Sequence, residues 1–257
     1  MKQNAYAKVN IFLKITGHKE GYHTLLSRFV RVGHLYDTIE FVPASCSSLT
    51  IEGCGDIDTQ SNTIYKAFVA LNEYTGDLDI LEYFYNHKVV VTKNIPTQSG
   101  LGGGSSDGAT FMRMVNEVCK LGLDVDRLAK IGSTVGADFP FFIHNYESAN
   151  VLGFGEIVEA FEEEALEIEL YTPPIGCDTA KVYKRFKQEF FGDIRHSSFV
   201  GWEKIPSREL LARVDALNAN DLYRAALLEY PKLKEYARKG WYFSGSGSTF
   251  FTHVTQK

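Results

Sequence analysis

Between residues 5 and 15 apolar and polar side chains alternate, with Ala7, Val9, Ile11, Leu13 and Ile15 on one face and Lys8, Asn10, Phe12 and Lys14 on the other. A period of two predicts a strand with one buried face. GHKEGYH supplies turn residues before TLLSRFVRV, and DTIEFV and SSLTIEG predict further short strands separated by Gly, Pro and Ser. The period then changes. In SNTIYKAFVALNEYTG, Ile64, Phe68 and Leu71 recur at helical spacing between an N-cap at Ser61 or Asn62 and a stop at Gly76. HKVVVTKNIP is a β-branched run closed by Pro96. Beyond it, SDGATFMRMVNEVCKLG sets Phe111, Val115 and Val118 on one face and stops at Gly122. The local order is strand, glycine loop, helix.

Farther on, DVDRLAKIGSTVGAD predicts a helix, FPFFIH and ANVLGFGEIVEAF predict strands, and the acids from Glu162 to Glu164 a solvated turn. LEIELYTPP opens a second block with helical stretches near 178–190, 207–217 and 220–239, and WYFSGSGSTFFTHV closes it. Two α+β blocks with a junction near 155–170 account for this order.

Composition narrows the function classes. The 257 residues, 44% hydrophobic and 23% charged, suit one large globular domain or two smaller ones. With 27 basic and 32 acidic residues, the formal charge of -5 supplies no global field toward nucleic acid or an anionic membrane. Cys46, Cys54, Cys119 and Cys177 form no CxxC pair and lack a histidine at zinc-ligand spacing, as expected of idle thiols in a reducing compartment. Lys8, Asn10 and Lys14 interrupt the apolar N-terminal stretch, so it does not form a signal sequence, and a cytoplasmic location is expected.

The loop PTQSGLGGGSSDGAT sits between a strand and an amphipathic helix, where a flexible tether does not belong. Glycines there let the backbone approach a ligand, and the unpaired N–H groups of the first helical turn suit phosphate oxygens. Ser105, Ser106 and Asp107 could equally be helix caps. The loop lacks the Gly-Lys-Ser/Thr of a Walker A sequence and the dinucleotide fingerprint.

PTQSGLGGGSSDGA resembles the Pro-x-x-x-Gly-Leu-Gly-Ser-Ser-Ala phosphate loop of the GHMP kinases, with one extra glycine. AYAKVNIFLKITGHKEGYHTL, GADFPFFI and FSGSGSTFF extend the likeness over nearly the whole chain. In the form GLGGGSS it is similar to the branch of that superfamily that phosphorylates 4-diphosphocytidyl-2-C-methyl-D-erythritol. The resemblance implies an α+β, two-lobed fold, with a ribosomal S5 domain 2-like, ATP-binding lobe over 1–160 and an α/β-sandwich lobe over 161–257. It also implies a kinase acting on the 2-hydroxyl of that alcohol in non-mevalonate isoprenoid synthesis.

Site residues follow from the same resemblance. Asp138, which on its own reads as a turn or helix cap, becomes the base that takes the proton of the acceptor hydroxyl. Lys8, ordinarily an exposed lysine, becomes the cation that steadies the transferred phosphoryl group. Asn10 would bond the methylerythritol hydroxyls. Tyr22, His23 and Tyr183 would form a cytosine pocket, Tyr22 stacking on the base, His23 bonding its edge and Tyr183 covering the other face. Gly102, Gly103, Gly104, Ser105 and Ser106 would hold the ATP phosphates, with Asn62 and Lys93 near the nucleotide. Thr179 and the SGSGS stretch around Gly245 would lie near the substrate diphosphate or methylerythritol. ATP and Mg²⁺ are the implied cofactors, the metal without an assigned protein ligand. The expected partners are small molecules only, the protein being a monomer or weak homodimer. A kinase for homoserine or a mevalonate-like alcohol is the nearest alternative, and a nucleotide-binding or RNA-binding module without catalysis is the alternative from another class.

Overall fold

The computed structural model describes residues 1–19, 21–55, 57–194 and 198–254, excepting the side chains of Tyr22 and Asp193. They fall into two compact units, one from Met1–Ala7, Gly33–Ile95 and Gly102–Tyr146, the other from Lys8–Val32, Pro96–Leu101 and Glu147–Lys257. The division of the chain at 160 follows motifs, whereas each compact unit draws on several segments.

Two long strands, β1 (Lys2–Lys19) and β2 (Tyr22–Pro43), pair with each other and contribute to both units. The stretches TLLSRFVRV and DTIEFV are one strand rather than two, because Gly33 between them keeps an extended, negative-φ backbone. β1 departs from the expectation of one buried face. Lys8, Asn10, Phe12 and Lys14 are buried along with Val9, Ile11 and Leu13.

In the first unit the C-terminal part of β2 runs antiparallel to β4 (His87–Thr92), with Ile39 opposite Val91 and Phe41 opposite Val89. β3 (Ile51–Glu52) lies parallel on the other side of β4. Helices α1 (Thr63–Thr75), α2 (Leu78–Tyr85), α3 (Gly103–Val118), α4 (Val125–Ser133) and α5 (Phe139–His144) complete the unit. α1 starts and stops as its sequence predicts: Asn62 Oδ1 accepts from the Ile64 N–H at 2.9 Å, and Gly76 ends the helix at φ 62°. Phe41, Phe84 and Phe111 form the centre of the core, with Phe84 stacked on Phe111 at 5.4 Å. Each such buried ring contributes about 1.5–3 kcal/mol.

FPFFIH forms helix α5, not the expected strand. Pro140 lies in its first turn, where a missing N–H costs nothing, and four further apolar residues are buried on all sides, so no periodicity distinguishes helix from strand. Helix α2 was not signalled by the pattern. Asp77 caps it through the Asp79 N–H at 2.8 Å, and Ile80 and Phe84 anchor it one turn apart.

In the second unit the N-terminal part of β2 pairs antiparallel with β5 (Ser148–Gly153), placing Arg28 opposite Asn150, and β5 pairs with β6 (Ile157–Ala160). A separate sheet has the order β7 (Ile168–Tyr171), β9 (Phe250–His253), β8 (Tyr242–Phe243). Helices α6 (Thr179–Glu189), α7 (Ser207–Arg213), α8 (Ala216–Ala219) and α9 (Asp221–Glu229) accompany it. The stretch 220–239 is therefore α9 followed by a 3₁₀ segment, Pro231–Tyr236, where Pro231 interrupts the helix.

Glu163 is not part of a solvated turn. It accepts from Ser148 Oγ at 2.6 Å, from the Ser207 N–H at 2.6 Å and from Ser207 Oγ at 2.7 Å. Arg28, fully buried, lies 3.8 Å from it. The guanidinium also donates to Asn150 Oδ1, Ser207 Oγ and the carbonyls of Glu203 and Ile205, and it covers the Phe161 ring at 3.4 Å. All four cysteines are free thiols, and no helix among the described residues is long and apolar enough to cross a membrane.

Candidate active site

The glycine loop opens a helix without a side-chain cap. Gly102, at φ 74°, is the N-cap of α3, and Ser105, Ser106 and Asp107 all lie inside the helix, which removes the capping reading. The first bond in the helix runs from the Ser106 N–H to Gly102 O at 2.9 Å. The N–H groups of Gly103, Gly104 and Ser105 precede it, where a helix start presents unpaired donors and a partial positive charge. Thr63 Oγ1 donates to Gly104 O at 2.6 Å and Ser106 Oγ to Tyr6 O at 2.7 Å, so the first turn is fastened to α1 and β1. Ser106 therefore spends its hydroxyl on the scaffold, while Ser105 is half-exposed.

One turn into α3 lies an ion cluster whose members are far apart in sequence. Lys93 Nζ donates to Asp107 Oδ2 at 2.6 Å and also to Asp37, whose other oxygen accepts the Ile95 N–H at 2.8 Å. Asp107 Oδ1 is buried without a hydrogen-bond partner. Burial pushes the Asp107 carboxyl up to about 7; Lys93 opposes this and Asp37 adds to it. Burial alone would lower the Lys93 ammonium, yet its two carboxylate partners raise it. Asn62, nearby in sequence to α1, is buried and occupied as that helix's cap. Sequence reasoning singled out Lys93, missed Asp37, and read Asp107 only as a helix cap beside the serine pair.

Asp138 immediately precedes α5 at its N-cap position, but its side chain makes no capping hydrogen bond.

In the second unit the polar face of β1 is a buried hydrogen-bonded row. Lys8 is 4% exposed, contrary to the ordinary fate of a lysine, and its Nζ sits 4.4 Å from the centre of the Phe29 ring. Lys8 Nζ donates to Asn10 Oδ1 at 2.6 Å, and Asn10 Nδ2 donates to Ser27 Oγ at 3.0 Å. The Asn10 N–H reaches Ser244 Oγ at 3.3 Å, and Ser244 Oγ donates to Gly100 O at 3.0 Å. The SGSGST segment therefore seats on the start of the glycine loop. A Cβ on Gly100 would lie 2.2 Å from Ser244 O, which only glycine permits. Gly245 O accepts from Asn220 Nδ2 at 2.8 Å, and Thr179, the first residue of α6, bonds Ser246 Oγ at 2.8 Å.

His23 and Tyr183 are brought together, their ring centres 5.4 Å apart and tilted by 37°. Phe186 and Phe191 close in at 5.8 and 5.7 Å. Burial, with His18 and Lys187 adding like charge, lowers the His23 pKa, and its buried Nε2 has no hydrogen-bond partner. The side chain of Tyr22, the third member of the expected pocket, lies outside what the structure describes.

Comparison with known proteins assigns the class. The family model "GHMP kinases N terminal domain" matches residues 62–146, which include the glycine loop and Asp138. The fold is also that of a mevalonate kinase from Methanococcus jannaschii, with a TM-score of 0.63 at 14% identity over 99% of this chain and 90% of the other. These place the fold among the GHMP kinases.

A crystal structure of a 4-(cytidine 5'-diphospho)-2C-methyl-D-erythritol kinase matches at a TM-score of 0.73 and 29% identity, covering 99% of this chain and 90% of that one. A 4-diphosphocytidyl-2-C-methyl-D-erythritol kinase of Sulfurovum sp. is 57% identical over 96% of this chain and 97% of the relative. That of Sulfurimonas denitrificans is 48% identical over 96% and 94%. The chain belongs to the 4-diphosphocytidyl-2-C-methyl-D-erythritol kinase family.

Proposed function

We infer that this chain transfers the γ-phosphoryl group of ATP to the 2-hydroxyl of 4-diphosphocytidyl-2-C-methyl-D-erythritol, a step of non-mevalonate isoprenoid precursor synthesis. The observation that carries the reading is the 57% identity, sustained over 96% of the chain, to a kinase named for that alcohol.

Phosphoryl transfer asks little covalent chemistry of a protein; positioning and charge stabilisation supply most of the rate. In this reading Asp138 orients the 2-hydroxyl and takes its proton. Lys8 places its ammonium against the reacting oxygens, and its burial makes the charge count for more than it would in water. Asn10, whose amide oxygen holds the Lys8 Nζ, bonds the methylerythritol hydroxyls. Thr179 and Gly245 border the substrate's diphosphate or methylerythritol.

Cytosine packs against Tyr183, with His23 bonding the base edge. The unpartnered His23 Nε2 and the enclosing rings support this. The N–H groups ahead of Ser106 hold the ATP phosphates, with Gly102, Gly103, Gly104 and Ser105 providing close backbone approach. Asn62 and the Lys93 cluster border the nucleotide.

No group of three or more His, Cys, Asp or Glu side chains among the described residues is arranged to hold a metal. The Mg²⁺ that fits such a site is one carried on the nucleotide phosphates, where it neutralises charge. The enzyme works in the cytoplasm as a monomer or weak homodimer.

The test is ³¹P NMR of the product made from MgATP and the cytidylyl alcohol. A new phosphomonoester on the 2-hydroxyl is expected. Release of ADP into water alone, with the alcohol unchanged, contradicts the assignment.

A further inference from the structure

Behind Lys8 the hydrogen bonds run in one direction. Lys8 Nζ donates to Asn10 Oδ1, Asn10 Nδ2 donates to Ser27 Oγ, and Ser27 Oγ donates to the Phe12 carbonyl. The last member can only accept, and the first can only donate while it is an ammonium. Ser27, fully buried, must give its one proton to Phe12 O and so turns a lone pair toward Asn10. An amide can flip end for end at little cost in shape, so the partner of its nitrogen decides which end faces Lys8. Flipped, Asn10 would point an NH₂ group at the Lys8 ammonium and an oxygen at a hydroxyl with no proton left to give.

We propose that Ser27 is a positioning residue for phosphoryl transfer, fixing the Asn10 amide so that its oxygen holds Lys8. The proposal rests on the reading of Lys8 as the cation at the reacting hydroxyl. Nothing in the motif AYAKVNIFLKI points to Ser27, which lies 17 residues beyond Asn10 on the neighbouring strand.

A double-mutant cycle on kcat separates this role from a structural one. Ser27→Ala is expected to lower kcat about 10-fold with the KM for ATP within about 2-fold, the pattern of an interaction used in the transition state. Asn10→Ala lowers kcat as well, and adding Ser27→Ala to it costs nothing more. Ser27→Thr, which keeps the hydroxyl, recovers most of the loss. Losses that multiply in the double variant, or a threonine variant no better than alanine, overturn the proposal. Should the alanine variant fail to fold, Ser27→Cys fills the site with a much weaker hydrogen-bonding group and is expected to repeat the pattern.

Exchange of the Asn10 side-chain amide protons, followed by NMR, reads the same geometry without turnover. In Ser27→Ala it should quicken at least about 10-fold while the amides of β5 stay unchanged. Unaltered Asn10 exchange overturns the proposal. A wild-type protein inactive on the cytidylyl alcohol sinks the functional reading alone.

Discussion

Gly108 of α3 leaves no room for a side chain beside Phe139 of α5: a Cβ there would lie 2.4 Å from the Phe139 ring and 3.0 Å from Thr63 O. This contact sets the α3–α5 approach, and with it the place of Asp138, the residue before Phe139. Gly108→Ala is expected to destabilise the protein by about 1–3 kcal/mol through overpacking, although alanine is the better helix former. Urea unfolding measures it. An unchanged or raised stability would mean that the two helices separate freely.

Lys93 compensates two buried carboxylates, so removing it costs more than losing a surface ion pair. Lys93→Met should destabilise by about 3 kcal/mol, the lower end for a broken buried pair because the lysine side chain is 24% exposed. Asn at position 37 or 107 in the same background should recover part of that loss. Thermal unfolding of the three variants checks both statements.

The Asp107 carboxyl also sets a pH dependence. Its folded pKa is raised from 3.8 to about 7 by burial, so between those values the folded state binds more protons than the unfolded state. Stability from this group therefore falls as pH rises through that window. Asp107→Asn, a permanent mimic of the protonated form, should gain in Tm relative to wild type from pH 4 to pH 7. A pH-independent difference would show that Asp107 does not titrate there.

Glu163 is the counter-charge of a fully buried guanidinium, whose pKa burial lowers to about 10 against the pull of Glu163 and Glu203. Glu163→Ala leaves Arg28 without that charge and unpairs Ser148 and Ser207. A loss of about 3–5 kcal/mol is expected by chemical denaturation. Glu163→Gln should lose less, since it keeps an acceptor for the Ser207 N–H.

His23 is held neutral at pH 7, its pKa lowered below 6.5 by burial and by His18 and Lys187. Acidification should raise the KM for the cytidylyl alcohol as the ring gains a proton below pH 6.5. His23→Ala should raise that KM about 10-fold or more with kcat little changed, the mark of lost uniform binding. A KM flat with pH in wild type, or a kcat effect alone, would take His23 out of the base pocket.

Much of this was legible in the chain. The two-residue period of β1, the Asn62 and Gly76 limits of α1 and the strand–loop–helix order around Gly102 all rest on local chemistry that sequence carries directly. FPFFIH misled because a run buried on every side has no period, and Phe favours strands until tertiary packing overrules it. Glu163 and the Asp37–Lys93–Asp107 cluster were illegible for another reason. Their partners lie 44 residues away at Ser207 and 56 residues away at Asp37, and an acidic run looks solvated until its buried partners are known. The burial of Lys8 was hidden likewise, since the second face of β1 is covered by residues remote in sequence.

The most direct test of the account offers purified protein MgATP together with the cytidylyl alcohol, homoserine or mevalonate, following ADP release with Asp138→Asn in parallel. Turnover is expected with the cytidylyl alcohol alone, falling at least about 1,000-fold in the variant, within the range for a lost general base together with its orienting role. Equal turnover of homoserine or mevalonate, or an Asp138→Asn enzyme as fast as wild type, would contradict it.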